Sequence, residues 1–298
     1  MILSKRITLT IILGLLFALS CSGNHKSFNI NKYEKKPTSV IKKFIGSEGV
    51  ENIRTSAFQK VAVIEFNVEF LIDMPNTECI RLTDKMYQIF IESIESNVGW
   101  EIISKDVIAK NSIYKRLRKK QLDRRYSVPK KENEHNEVIS TIYPTSKLSI
   151  LQSAKNGGVN RFYKRDSNKL IEAAILEEIG ASAALKVHTV VDYFYKRGEG
   201  KIVIVSADNQ TSSSSKVEIL IDYSKTPSPG MGYKARDQKE YIYAYKNQCS
   251  FILKEPLVAY DSISAKKSTF VLEEFAYQLE EIFNIYAEML AMAIAEDL

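Results

Sequence analysis

From Ile7 to Leu19 the chain is apolar except for Thr8 and Thr10, and from Ser22 to about Gln59 it has no sustained period and is rich in Lys, Asn and Ser. A stretch of that composition reads as a tether, although Val40, Ile41, Phe44 and Ile45 have the spacing of a short helical piece. The folded part is predicted to begin at Lys60, because Val61-Ala62-Val63-Ile64-Glu65-Phe66 is a β-branched run suited to a central, largely buried strand. Thr83 offers an N-cap, and Met86, Ile89, Phe90 and Ile94 then recur at helical spacing to about Ser96. Trp100-Glu101-Ile102-Ile103 follows as a second strand. Strand, helix and strand in this order predict a βαβ-like unit.

From Lys105 to about Ser153 the pattern changes. Val107, Ile108, Ile113, Tyr114 and Leu117 suit a helix that runs into a basic segment and stops before Pro129, while Lys130 to Pro144 is polar and aperiodic. The whole segment reads as an insertion, mobile or partly ordered. Regularity returns with Ser167 as an N-cap, a stripe at Leu170, Ile171, Ala174, Ile175 and Ile179, and Gly180 placed to end the helix in the left-handed region. Ala181 to Tyr195 alternates, with Lys186, His188 and Asp192 on one face, which predicts a long strand with one wet side. Gly198 and Gly200 turn into 202–205, and Val217, Ile219, Ile221 and Tyr223 alternate again, so an antiparallel meander is expected. Tyr241, Tyr243 and Tyr245 share a face ahead of Phe251-Ile252-Leu253. A closing helix from about Thr269 carries Phe275, Leu279, Ile282, Tyr286, Met289 and Ala293 at spacings of four and three, a seam like that of a coiled coil, and such a helix must be buried against the sheet, against another protein, or both. The expected fold is therefore α/β (α+β): one domain over 60–298, a mixed sheet with an antiparallel meander, flanking helices and a long C-terminal helix.

The apolar leader changes the picture of where such a domain works. Lys5 and Arg6 precede it, and Ala18-Leu19-Ser20 leads into Cys21. The run is shorter than the roughly 20 residues that a bilayer span needs, and Ala18-x-Ser20 also fits an ordinary secretory cleavage site. The cysteine directly after that site resembles a bacterial lipoprotein signal, of the looser kind found in spirochaetes, since Ala18 stands where Leu is usual. That resemblance implies cleavage after residue 20, a diacylglycerol on the Cys21 thiol, an acylated amine and durable attachment to a membrane. Ser22 agrees with sorting to the outer membrane. Residues 21–59 would then be a lipidated tether.

Charge and cysteine usage follow from that address. The formal net charge of +6 includes Lys5 and Arg6, which would leave with the leader, so the remaining bias is too small for a dedicated polyanion binder. Export also removes nucleic acid as a natural partner. With Cys21 assigned to lipid, Cys79 and Cys249 remain, either as a disulfide in an oxidising compartment or as two separate buried thiols. Neither has a Cys or His neighbour at metal-ligand spacing.

The order of elements resembles the superfamily of the curli-secretion lipoprotein CsgG and the penicillin-binding-protein activator LpoB. The residues that carry the likeness are Lys60 to Phe66, the helix after Thr83, Trp100 to Ser104, the helix ending at Ile179, Gly180-Ala181-Ser182-Ala183 and the strand ending Val190-Val191-Asp192-Tyr193. Ser182 stands where that turn often has Asp, and Lys186-Val187-His188 where a Gly often lies. The resemblance implies an envelope protein that works by binding a partner.

No catalytic constellation emerges from the residues. Ser-x-x-Lys occurs at Ser39, Ser213 and Ser264 without a strand-turn-helix context. His25, His135 and His188 fall in the tether, the insertion and a polar strand face, and the paired glycines at 198/200 and 230/232 lack the helix and Lys of a phosphate loop. The strongest charge feature is the run Lys115, Arg116, Arg118, Lys119, Lys120, Arg124 and Arg125, either a cationic face for an anionic partner or a solvated segment. Two classes of function remain: a non-enzymatic, cofactor-free lipoprotein that scaffolds an envelope protein partner, with homo-oligomers formed through the C-terminal helix, or an envelope enzyme or small-ligand receptor whose carboxylates and His188 converge only in three dimensions.

Overall fold

A computed structural model describes residues 37–50, 60–115, 127–132, 136–148, 171–196, 199–207, 214–221, 247–261 and 270–297. In chain order these form α1 (Pro37–Phe44), β1 (Ile45–Glu48), β2 (Lys60–Phe70), α2 (Asn76–Asn97), β3 (Glu101–Ile103), α3 (Lys105–Lys110), β4 (Ser127–Glu132) and β5 (Asn136–Pro144). There follow α4 (Ile171–Ile179), β6 (Ala183–Lys196), β7 (Glu199–Ile204), β8 (Lys216–Ile221), β9 (Asn247–Leu253), β10 (Leu257–Asp261) and α5 (Leu272–Asp297). The fold is mixed α/β, with an open ten-stranded sheet ordered β1-β9-β8-β6-β2-β5-β4 and a long C-terminal helix.

The β-branched run of β2 does what its composition implies. It lies at the centre of the sheet, parallel to β6 and to β3, with Val61, Ala62, Val63, Ile64, Phe66 and Val68 fully buried. Strand β2, helix α2 and strand β3 are the expected βαβ unit. Helices α2 and α5 cover one sheet face, where the Phe66 ring sits 5.5 Å from Tyr87, 5.8 Å from Phe90 and 6.4 Å from Phe283. The α5 seam of Phe275, Leu279, Ile282, Tyr286, Met289 and Ala293 is buried inside its own domain, so the residues proposed to meet a second copy are already covered. Glu280 adds ion pairs from α5 to Arg81 and Lys85 of α2.

Several expectations need correction. The tether does not extend to residue 59, because Val40, Ile41, Phe44 and Ile45 belong to the core and β1 pairs antiparallel with β9 along the sheet edge. The short apolar spacing was a true helix whose partners are distant in sequence. Helix α2 starts at Asn76 rather than after Thr83, with Pro75 at its N-cap position. Thr83 is an interior residue whose hydroxyl donates to the Cys79 carbonyl at 2.8 Å, the usual way a mid-helix threonine satisfies itself.

The segment 105–153 is not an insertion at either described end. Strands β4 and β5 form a hairpin, β5 pairs with the end of β2, and Thr145 N–H donates to the Phe66 carbonyl at 2.9 Å. Pro129 lies in β4, an edge strand, where a missing N–H is tolerated. The meander is also arranged differently. The first half of β6 pairs with β8 and the second half with β7, so β7 and β8 lie end to end on one edge of the same long strand. Finally, the polar face of β6 is wet only in part, since Ala184, Lys186 and Val190 on that side are buried while His188 and Asp192 are half-buried.

Gly180 does end α4 as expected. Its φ of 69° is in the left-handed region, and Ala181 N–H closes the helix on the Leu176 carbonyl at 3.0 Å.

Candidate functional site

Alternation along β2 sends Phe66, Val68 and Phe70 to the helical layer and Glu65, Asn67 and Glu69 to the opposite face. The parallel register puts Glu65 beside Lys186 and Asn67 beside His188. Antiparallel β8 then sets Glu218 beside Lys186 and Lys216 beside His188. The sheet therefore assembles seven polar side chains from three strands into a compact array, although the three strands are spread over more than 150 residues of sequence.

Within it, Glu69 is 2 % exposed and Asn67 3 %. The His188 Nε2 lies 3.4 Å from Glu69 Oε2, a contact that becomes an ion pair when the imidazole is protonated. Asn67 Nδ2 donates to Glu65 Oε1 at 2.5 Å, and Lys216 Nζ to Glu218 Oε1 at 2.9 Å. Asn67 Oδ1 is buried and receives no hydrogen bond. Buried charges persist only when paired, and the alternation of carboxylates with ammonium groups across the strands explains why this face can be polar yet poorly hydrated. His188 and Glu69 meet because β2 and β6 run parallel in this register, a pairing that periodicity does not fix.

A second polar node closes the edge of the domain. Asp84 of α2 accepts hydrogen bonds from Thr145 Oγ1, from Ser146 N–H at 2.7 Å and from Lys105 Nζ at 3.2 Å, and that ammonium lies 4.8 Å from the centre of the Tyr87 ring. Burial works to raise the Asp84 carboxyl, but the hydrogen bonds from Thr145, Ser146 and Lys105 outweigh it and hold the group below its ordinary range. Periodicity gave no sign of this node, because its members lie in three separate elements.

Cys21 lies outside the described residues, as do Arg116, Arg118, Lys119, Lys120, Arg124 and Arg125, the histidines 25 and 135, and the tyrosines 241, 243 and 245. Lys115 is described, and is exposed at the end of a helical turn over 112–115. The residue before it, Tyr114, is fully buried. The disulfide expectation for Cys79 and Cys249 is overturned in favour of its alternative, since both are free, buried thiols. Cys79 sits beside Tyr143 of β5, whereas Cys249 is in β9. Strands β2, β6 and β8 lie between β5 and β9 in the sheet, so the two thiols adjoin different parts of it.

Among the described residues no group of three or more His, Cys, Asp or Glu side chains is arranged to hold a metal ion, and no helix is long and apolar enough to cross a membrane. The chain matches no protein-family model, no curated protein and no solved structure.

Proposed function

We propose that this chain is a lipid-anchored protein of the cell envelope, placed at the outer membrane, which acts without catalysis by holding a protein partner there. The observation that carries the reading is Cys21 directly after a short apolar leader that ends in small residues. The fold adds a geometric argument. The described residues begin at Pro37, so residues 22–36 separate the lipidated cysteine from them, and a chain of that length spans at most about 50 Å. A domain so tethered samples only the layer next to the membrane, where a partner in the same envelope is met at high effective concentration. The basic run from Lys115 to Arg125 begins next to the buried Tyr114 in sequence and supplies the charge for an anionic partner surface.

The test is expression of the full chain in a bacterium with a lipoprotein pathway. The wild type should incorporate labelled palmitate and enter the detergent phase, and Cys21→Ser should lose both properties. Retention of membrane attachment and label by Cys21→Ser would overturn the anchor. In-cell crosslinking then addresses the partner: a defined protein adduct should disappear when Lys115, Arg116, Arg118, Lys119, Lys120, Arg124 and Arg125 are changed to Gln. An adduct indifferent to those changes would remove the basic run from the interface.

A further inference from the structure

The strands at the rim of the sheet differ in how they discourage further pairing. Strand β4 carries Pro129, Lys130 and Lys131, residues that keep another strand from adding to an edge. Strands β1 and β3 are only four and three residues long, and each includes a glutamate, Glu48 or Glu101. Strand β10 has neither protection of composition nor a bulge: Leu257-Val258-Ala259-Tyr260 precedes Asp261, and the register with β7 is unbroken. Among the described residues no strand but β7 pairs with it. Its outer edge also continues one that already accepts a strand. Because β7 and β8 lie end to end along β6, β10 and β9 lie end to end along them, and β1 occupies the outer edge of β9 only as far as Leu253.

We propose that β10 pairs antiparallel with β10 of a second copy of this chain, about a twofold axis at Ala259. The strand is self-complementary in that register. On the outer face each Val258 stands opposite Tyr260 of the other copy, an aromatic and β-branched cross-strand pair made twice by the symmetry, and both residues are half-buried in the single chain. On the inner face the two Ala259 methyl groups meet at the axis, and Leu257 stands opposite Asp261, so no like charges are set against each other. The outer row is ordered before pairing, because Lys201 of β7 holds its ammonium group 5.4 Å from the centre of the Tyr260 ring. Two five-residue strands alone bury less than a stable dimer needs, and exposed aromatic side chains widen the contact. Tyr195 lies in the same register row as Gly200 and Asp261, while Phe270 and Tyr277 stand at the start of α5, the helix that packs against β10. This edge is distinct from the α5 seam, which is covered within its own domain. The pairing is independent of how the chain is anchored.

The experiment uses the full-length protein in a nonionic detergent. A short bifunctional thiol reagent should link Ala259→Cys into a dimer, because residues directly opposite in an antiparallel pair bring their Cβ atoms close together. The wild type, whose Cys79 and Cys249 are buried, should not be linked, nor should Val203→Cys, one strand further from the edge. No adduct at residue 259, or equal linking at residue 203, would overturn the proposal. Sedimentation gives a second measurement that needs no added cysteine. The wild type should contain two chains per particle. Val258→Glu sets a carboxylate against Tyr260 in both symmetric pairs and should raise the dimer dissociation constant at least about tenfold. One wild-type chain per particle, or a variant that dimerises unchanged, would equally overturn it.

Discussion

The phenol of Tyr114 donates a hydrogen bond to the carbonyl of Ile64 at 2.8 Å. Ile64 lies at the register shift between Val63 and Glu65, where the β2–β6 ladder is interrupted. Along the other edge of β2, β3 pairs with 60–62 and β5 with 67–70, and Tyr114 fills the gap between them. A side chain thus supplies a backbone acceptor of the central strand with its donor. Tyr114→Phe should destabilise by about 1–3 kcal/mol, the cost of leaving a buried carbonyl without its donor. Chemical denaturation measures this, and an unchanged midpoint would mean that the carbonyl finds another donor.

Asp84 gives the fold an acid-sensitive edge. Its carboxyl is held below the ordinary range in the native state, so the native chain binds fewer protons there than the unfolded chain. The stabilisation is present at neutral pH and fades as pH falls through the depressed value, below about pH 4. Asp84→Asn should cost about 1–2 kcal/mol at pH 7 through weakened charged hydrogen bonds. Its deficit relative to wild type should shrink towards pH 2.5 in equilibrium unfolding. A deficit constant with pH would place the loss in packing instead.

Tyr286 offers the opposite sign. Its ring is buried between α5 and the sheet, burial pushes its phenol strongly upward, and its hydroxyl has no hydrogen-bond partner. Tyr286→Phe deletes only that oxygen, so stability should hold or rise, by up to about 1 kcal/mol. A loss of more than this would show that the hydroxyl is bonded in solution.

The two thiols should be inert in the folded protein. Burial is the main cause in both cases, and it pushes Cys79 up to about 11 and Cys249 up to about 12, where little thiolate exists at neutral pH. An aromatic disulfide reagent should therefore label neither until the chain unfolds, and reductant should leave the melting temperature unchanged. Rapid labelling of Cys79 without unfolding would show that the start of α2 opens locally.

Legibility differs sharply between elements. Strand β2, helix α5, the cap at Gly180 and the βαβ order could be read from local pattern, because each depends on residues within a few turns of one another. Helix α1 was visible only as a fragment of spacing, since Val40 and Phe44 are held by partners near the opposite end of the chain. Thr83 looked like a cap because hydroxyl residues favour caps, and its true neighbour, the Cys79 carbonyl, belongs to a helix that had already begun. The β4–β5 hairpin carried no apolar alternation strong enough to reveal it, and its place depends on the free edge of β2.

The sequence by itself determined that 60–70 is a strand and 272–297 a helix, that one strand must be central, and that Gly180 ends a helix. Tertiary structure alone decided that residues 37–48 complete the sheet, that Cys79 and Cys249 lie apart, and that Glu69 meets His188. The division has a physical cause. Periodicity records the face a residue presents, whereas strand order and register, which decide the residue it meets, are set by packing among segments far apart along the chain.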